Sequence, residues 1–333
     1  MSAIDETTGS FTARPVTQSD LLQWAIVNKA TAKEDAPARV GVPEKREPID
    51  PKWVDVILGK SDSVRMKECV AILVDDAKEL AVKLAAFDEL EMLVESLDNA
   101  NDMRNLGLWK PIISILASHA EPEMRAFAAW VLGTCVQNNP TAQKDFLAAQ
   151  GLPVLLKSLQ SDTDPEVRAK AMTCLSGLVR HNRPAYAQLA ALALGSNQLG
   201  LAPVRALVAS PGAFAKAQKR AVFFLDGLVS GGSGEEDEVI AMAVADAQAG
   251  DWAGAVVELL ETSAKLDKDL VDKCLSLLMH LASRKAILDA TTLAKLRTVI
   301  PATIAKFSTP STSDEDDEGL DANLCRACSK LFI

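Results

Sequence analysis

Rings are scarce in this chain. One tyrosine, three histidines and an aromatic share of 5% are spread over 333 residues. His119, His181 and His280 stand far apart, so no pair of them has metal-ligand spacing. Glycine is modest at 17. Neither Gly-x-x-x-x-Gly-Lys-Ser/Thr nor Gly-x-Gly-x-x-Gly occurs, which excludes the familiar phosphate cradles. The short run Gly231-Gly232-Ser233-Gly234 leads into Glu235 and Glu236, whose charge repels phosphate. His-Glu-x-x-His and Gly-x-Ser-x-Gly are absent as well. No apolar run approaches the roughly 20 residues that cross a bilayer. Basic residues are outnumbered, 35 against 45, for a net charge of −10, so a nucleic-acid partner is not expected.

Addressing signals are missing too. Met1 to Pro15 has no apolar core behind positive charge. There is no Asn-x-Ser/Thr acceptor, and the chain does not end in an endoplasmic retention sequence. A cytosolic protein without membrane contact is expected. The six cysteines agree. Cys69, Cys135, Cys174 and Cys274 fall on apolar stripes, where a free thiol acts as a small hydrophobe. Cys325-x-x-Cys328 lacks two further zinc ligands. The carboxylates of Glu91, Glu95 and Asp98 share one helix face, but such acids more often form a solvated side than an acid–base pair. No cofactor, no metal and no catalytic residue is expected, and the chain is not read as an enzyme.

What the sequence does contain is a period. Trp109-Lys110-Pro111-Ile112-Ile113, Gly151-Leu152-Pro153-Val154-Leu155 and Leu201-Ala202-Pro203-Val204-Arg205 set their prolines 42 and then 50 positions apart. Arg125-Ala126 recurs as Arg168-Ala169. Leu132 and Val136 recur as Leu175 and Val179, then as Leu225 and Val229, and are preceded by Leu90 and Val94. Each segment carries the stripe of an amphipathic helix. A helical unit of about 40–47 residues marks armadillo or HEAT repeats, whose units bury their apolar faces only against neighbours.

The expected fold is all-α. It is an armadillo/HEAT-like right-handed solenoid of about four repeats with flexible terminal extensions, closed by a terminal helix near Leu293 to Phe307. The extra length before Pro203 is expected in a loop around Leu194 to Leu199. Gly133 and Gly177 sit inside helices at a cost of about 1 kcal/mol each, for which close helix approach is the expected reason.

The ends differ from the middle. Residues 1–49 form a polar leading segment, read as flexible, that carries a short apolar island at Leu21-Leu22-Gln23-Trp24-Ala25-Ile26-Val27. That island is either a binding arm or a cap on the first repeat. Residues 50–307 are the solenoid. Residues 308–333 are read as an acidic linker, Asp314-Glu315-Asp316-Asp317-Glu318, and a tail.

One segment is distinctive: Phe87-Asp88-Glu89-Leu90-Glu91-Met92-Leu93-Val94-Glu95-Ser96-Leu97-Asp98-Asn99-Ala100-Asn101-Asp102, followed by Leu108-Trp109-Lys110-Pro111. Together with Gly133-Thr134-Cys135-Val136-Gln137-Asn138-Asn139 and Leu21-Leu22-Gln23-Trp24, it resembles the cytosolic armadillo-type nucleotide exchange factors of the seventy-kilodalton heat-shock chaperone, the heat-shock-protein-binding-protein family. The likeness runs from about Leu21 to Val299. The leading extension, the loop near Gly195 and the acidic tail depart from the shorter members.

The resemblance implies a monomeric co-chaperone that clasps one lobe of the chaperone's nucleotide-binding domain in a concave groove and displaces the other lobe. ADP then leaves, and the factor itself binds no nucleotide. It also implies that the leading segment, anchored here by Leu21, Leu22 and Trp24, frees client polypeptide. Partner contacts are expected where the third helix of each unit ends, at Asn99, Ala100 and Asn101 and at Asn138 and Asn139. The family's contact positions add Arg220 and place both it and Ala100 on the binding surface. The rival expectation is an armadillo adaptor for peptide cargo. Against it, Trp109, Trp130 and Trp252 do not recur at one repeat position.

Overall fold

The computed structural model describes residues 59–192, 200–210, 214–231, 235–262, 266–286, 289–308 and 320–332. The chain divides into two compact units, Met1–Ile57 and Leu58–Ile333, and every described residue belongs to the second. The expected island at Leu21 to Val27, the loop at Leu194 to Leu199 and the acidic run Asp314 to Glu318 lie outside the described residues.

All regular structure among the described residues is helical. In chain order the helices are α1 (Asp62–Val74), α2 (Leu80–Val94), α3 (Leu97–Asp102), α4 (Trp109–Ser118), α5 (Pro122–Val136), α6 (Pro140–Ala148), α7 (Gly151–Ser161) and α8 (Pro165–Val179). They continue as α9 (Arg183–Ala191), α10 (Ala202–Ala209), α11 (Ala215–Ser230), α12 (Glu235–Ala249), α13 (Trp252–Thr262), α14 (Lys268–Ser283), α15 (Ala290–Ser308) and α16 (Ala322–Phe332).

The sequence period becomes two stacked layers. The proline phrases open α4, α7 and α10, and these pack in series, α4 on α7, α7 on α10, α10 on α13 and α13 on α15. The helices read from Leu90, Leu132, Leu175 and Leu225 are α2, α5, α8 and α11. They form a second series that ends on α14. Short helices α3, α6 and α9 and the longer α12 open the units, so four three-helix repeats stand between α1–α2 and α15–α16. Leu90, Val94, Leu132, Val136, Leu175, Val179, Leu225 and Val229 are all buried.

Local chemistry sets the joints. Proline occupies the first turn of α5, α6 and α8, where its missing N–H costs no helix bond. Asn139, Asp164, Asn182 and Asp267 cap α6, α8, α9 and α14 by accepting from first-turn N–H groups, each worth about 1 kcal/mol. Arg125 and Arg168 do the same work one repeat apart. Arg125 donates to the carbonyls of His119 and Ala120 after α4, and Arg168 to those of Gln160 and Asp162 at the end of α7. Close approach, the expected reason for the two helical glycines, does not require them, because a Cβ at either would make only ordinary van der Waals contact. A Cβ on Gly133 would stand 3.4 Å from Cys174 Cα, and one on Gly177 would stand 3.6 Å from Gln137 Cα.

The 308–333 stretch, read as linker and tail, ends in helix α16. Its apolar side packs on α14 and α15, with Cys328 and Phe332 buried. The Cys328 thiol donates to the Leu275 carbonyl at 3.6 Å, and the Asp321 N–H donates to Asp272 Oδ1 at 3.3 Å. Leu324, Cys325, Cys328 and Phe332 stand at i, i+1, i+4 and i+8, the stripe of an amphipathic helix that reading the stretch as a tail overlooked. Burial against α14 supplies the stability.

Candidate functional site

In the series α2, α5, α8, α11 and α14, helices α5, α8 and α11 carry partly exposed residues at matching positions. Phe127, Lys170 and Arg220 occupy one position, Trp130, Thr173 and Phe223 the next, and Thr134, Gly177 and Gly227 a third. Each set is separated by 43 and then 50 residues, the spacing of the repeats. The helices are held in line by bonds between neighbours. The Thr134 hydroxyl donates to Glu91 Oε1 at 2.8 Å, from α5 to α2. Arg220 Nη1 donates to the Ala169 carbonyl at 2.7 Å, from α11 to α8. On α14, Ser276 donates to Asp226 Oδ2 at 3.0 Å, and His280 Nδ1 stands 2.7 Å from Asp226 Oδ1.

Rings and cations thread the same face. Phe127 stacks at 5.8 Å on Phe87, which lies buried in the core beneath the face, and meets Trp130 at 5.5 Å. Lys170 Nζ lies 3.8 Å from the Trp130 ring centre, and burial lowers its pKa below the ordinary lysine value. On the other side of α8, the Arg180 guanidinium lies 5.6 Å from the exposed Phe223 ring. Cation–ring contacts are worth about 0.5–1 kcal/mol when exposed and more when dry.

The predicted contact residues fall into two groups. Asn138 and His181 hold equivalent left-handed turns, φ 51° and 56°, just past α5 and α8. Asn138 is exposed there. Asn139, next to it, is only 4% exposed. Its Oδ1 caps α6, while its Nδ2 has no partner among the described residues. Gln143 bridges this joint to the next repeat, donating to the carbonyls of Val136 and Gly177 at 3.0 Å each and accepting from Asn182 at 2.7 Å.

The other group sits elsewhere than expected. Asn99, Ala100 and Asn101 are not at the end of α2. The chain turns extended at Ser96, with ψ 125°, and the three residues lie on the separate helix α3. Ala100, expected on a surface, is 1% exposed, because α3 packs against α2 and α5. Asn99 donates to Asp62 Oδ2 and to the Leu93 carbonyl, both at 2.9 Å. Asn101 Oδ1 is buried without a partner among the described residues. Arg220, also expected on the surface, is half-buried and gives one donor to α8. Sequence reasoning missed Phe223 and Arg180. Placing Phe223 in register with Trp130 and Thr173 is the signal that finds it.

The site is one for contact rather than proton transfer. Cys135 and Cys274 are buried and their thiols are pushed well up by desolvation, and Cys174 is raised to about 12 for the same reason. Glu91 faces Thr134 rather than a second carboxylate.

Residues 19–103 match the family described as "Nucleotide exchange factor Fes1", and residues 99–249 match "SIL1/FES1/HPBP1 C-terminal domain". A protein of Saccharomyces cerevisiae named "Hsp70 nucleotide exchange factor FES1" is 34% identical over 269 residues, which cover 79% of this chain and 86% of that one. A protein of the same name from Coccidioides immitis is 41% identical over 173 residues, 51% of this chain and 81% of the relative. Among solved structures, a designed armadillo repeat protein in complex with the peptide (KR)4 superposes with a TM-score of 0.52 at 17% identity, covering 80% of this chain and 99% of that one. An engineered protein gives 0.54 at 18% identity, covering 80% and 98%. At these identities the structural likeness is one of fold alone.

Proposed function

This chain belongs to the Fes1 family of Hsp70 nucleotide exchange factors, and we propose that it works through the α2–α5–α8–α11–α14 face, which takes the nucleotide-binding domain of an Hsp70 chaperone one to one. The exchange factor is a non-enzymatic co-chaperone: it makes and breaks no covalent bond. The observation that carries the interface is the stripe of partly exposed residues repeating with the ladder from Phe127 to Gly227. A continuous face of this kind offers a folded domain many small contacts in one register.

Exchange follows from linkage. A factor that binds the opened, ADP-poor chaperone better than the closed one shifts the population toward the open state, and ADP affinity falls by the same factor. In this reading Asn138 and Arg220 touch the partner directly. Asn99, Asn101 and Asn139 shape the joints beside the face, and Ala100 lets α3 seat closely. The leading segment with Leu21, Leu22 and Trp24 frees client polypeptide in a cytosolic, monomeric factor. No described helix is long and apolar enough to cross a membrane.

The test is the release of a fluorescent ADP analogue from an Hsp70 chaperone, timed with and without the full chain. Release accelerates with the concentration of this protein and saturates at one factor per chaperone. Release rates unmoved by a large molar excess of folded protein would refute the reading.

A further inference from the structure

We propose that the cleft between the ends of α8 and α11 is the anchor of that face, and that it takes an acidic side chain of the chaperone's nucleotide-binding domain against an apolar floor. The inference rests on the exchange-factor reading and names the partner chemistry at one place within it.

Three observations converge. The cleft holds about 350 Å³ and is lined by Arg180, His181 and Arg183 at its rim and by Phe224, Leu228 and Ile240 below. Phe223 stands at its edge, 45% exposed, the exposed aromatic ring among the described residues. The Arg180 guanidinium is exposed beside it and has no hydrogen-bond partner among the described residues. Arg183 is different, since Glu238 pairs with it.

The third observation is a glycine. Gly227 lies one turn after Phe223 on α11 and lines the cleft. A helical glycine costs about 1 kcal/mol relative to alanine, and at Gly133 and Gly177 a Cβ would touch the neighbouring repeat at ordinary van der Waals distance, 3.4 Å from Cys174 and 3.6 Å from Gln137. At Gly227 a Cβ would meet nothing within 4 Å. No neighbour within the protein requires the glycine there. A side chain at that position would occupy the entrance, so the glycine keeps the cleft open to a partner group.

Charge decides what enters. Arg180 offers a planar fork suited to two-pronged binding of a carboxylate, and the side chain is exposed beside Phe223. A carboxylate seated there gains charge-assisted hydrogen bonds, while its methylenes lie on Phe223 and Leu228. An aliphatic group would gain only the floor, and a cation would be repelled by Arg180.

The test uses the full chain, an Hsp70 chaperone and the fluorescent ADP analogue, at low and moderate ionic strength. Arg180→Gln is expected to raise the concentration for half-maximal acceleration about tenfold at low salt and to flatten its salt dependence. Arg180→Glu raises it further, and Arg180→Lys falls between wild type and Gln. Gly227→Leu, which fills the entrance, gives a comparable loss with the salt dependence kept. Lys110→Gln, an exposed charge on α4, leaves the curve in place. Circular dichroism melting checks that each variant is folded. If wild type accelerates release while the Arg180 and Gly227 variants match it, the anchor is overturned and the exchange-factor reading stands. If wild type itself fails to accelerate release, the broader reading falls first.

Discussion

Arg125 closes on Asp162 through two parallel hydrogen bonds, Nε to Oδ2 at 2.7 Å and Nη2 to Oδ1 at 3.0 Å, tying the start of α5 to the end of α7. Burial alone would raise the Asp162 pKa, but the Arg125 bonds and the Asp164 N–H overcome it and hold the carboxylate below its ordinary value. A depressed carboxylate contributes stability that is present above its unfolded pKa, near 3.9, and is lost as pH falls through the lower folded value. Urea midpoints measured from pH 6 down to pH 2 should therefore fall less in Asp162→Asn than in wild type. Arg125→Ala, which strands a largely buried carboxylate, should cost about 3 kcal/mol at pH 7. Equal pH slopes in wild type and Asp162→Asn would show that the pair adds nothing.

Ala100→Arg changes meaning once the fold is known. On an open surface an arginine would block docking cleanly; at 1% exposure it must push α3 away from α2 and α5. Overpacking with a charge should cost at least about 2 kcal/mol, read as a lower melting temperature. Arg220→Ala loses the bond to Ala169 and should cost about 1 kcal/mol while also weakening partner binding. A melting curve for Ala100→Arg that overlays wild type contradicts this account.

The single tyrosine makes a clean reporter. Tyr186 is buried and its hydroxyl donates to Asp246 Oδ2 at 2.6 Å, from α9 to α12. Burial first, and the neighbouring carboxylate second, push its pKa far above the ordinary phenol value. That contribution is fully present below pH 10 and lost as pH rises beyond it. Absorbance of the phenolate should stay flat through pH 10 in the folded chain and appear only together with loss of helix. Tyr186→Phe should destabilise by about 1–2 kcal/mol. A reversible phenolate titration near pH 10 in folded protein would place the side chain in water instead.

Thiol labelling maps the docking of α16. Burial raises Cys69 and Cys328 to about 11 and Cys174 to about 12, so few thiolates form at neutral pH. Cys325 is the least buried of the six. A disulfide-exchange reagent at pH 8 should therefore react first with Cys325 and slowly with the rest. Phe332→Ala, which loosens the helix end, should expose Cys328 next. Equal rates for Cys325 and Cys328 in wild type would mean that α16 does not hold to α14.

Removing residues 1–49 tests the leading segment. ADP release should be retained, because the ladder is untouched, whereas release of a bound client peptide should fall. Trp24→Ala with Leu22→Ala should reproduce most of that loss through two apolar anchors. If client release is unaffected while the melting temperature drops, the island is a cap on the first repeat.

The repeats were legible because their signal is short-range. Leu132, Val136, Leu175 and Val179 repeat where each helix must bury a stripe, and the proline phrases mark where α4, α7 and α10 begin. A period of this kind survives in one dimension. The roles of Gly133 and Gly177 were not legible in this way, since a Cβ at either would make only ordinary contact with its neighbour.

What the sequence by itself determined is thus the all-helical repeat, its four units and the family it belongs to. What tertiary structure decided is which side chains meet across 40 to 50 residues. Asn99 to Asn101 moved to a helix of their own because the chain turns at Ser96, a backbone angle that no stripe encodes. Ala100 became core because α3 falls between α2 and α5. Arg180 met Phe223, and Cys328 met Leu275, because the rotation from one repeat to the next sets those pairings. That rotation is a sum of many packing contacts, and no single segment of sequence carries it.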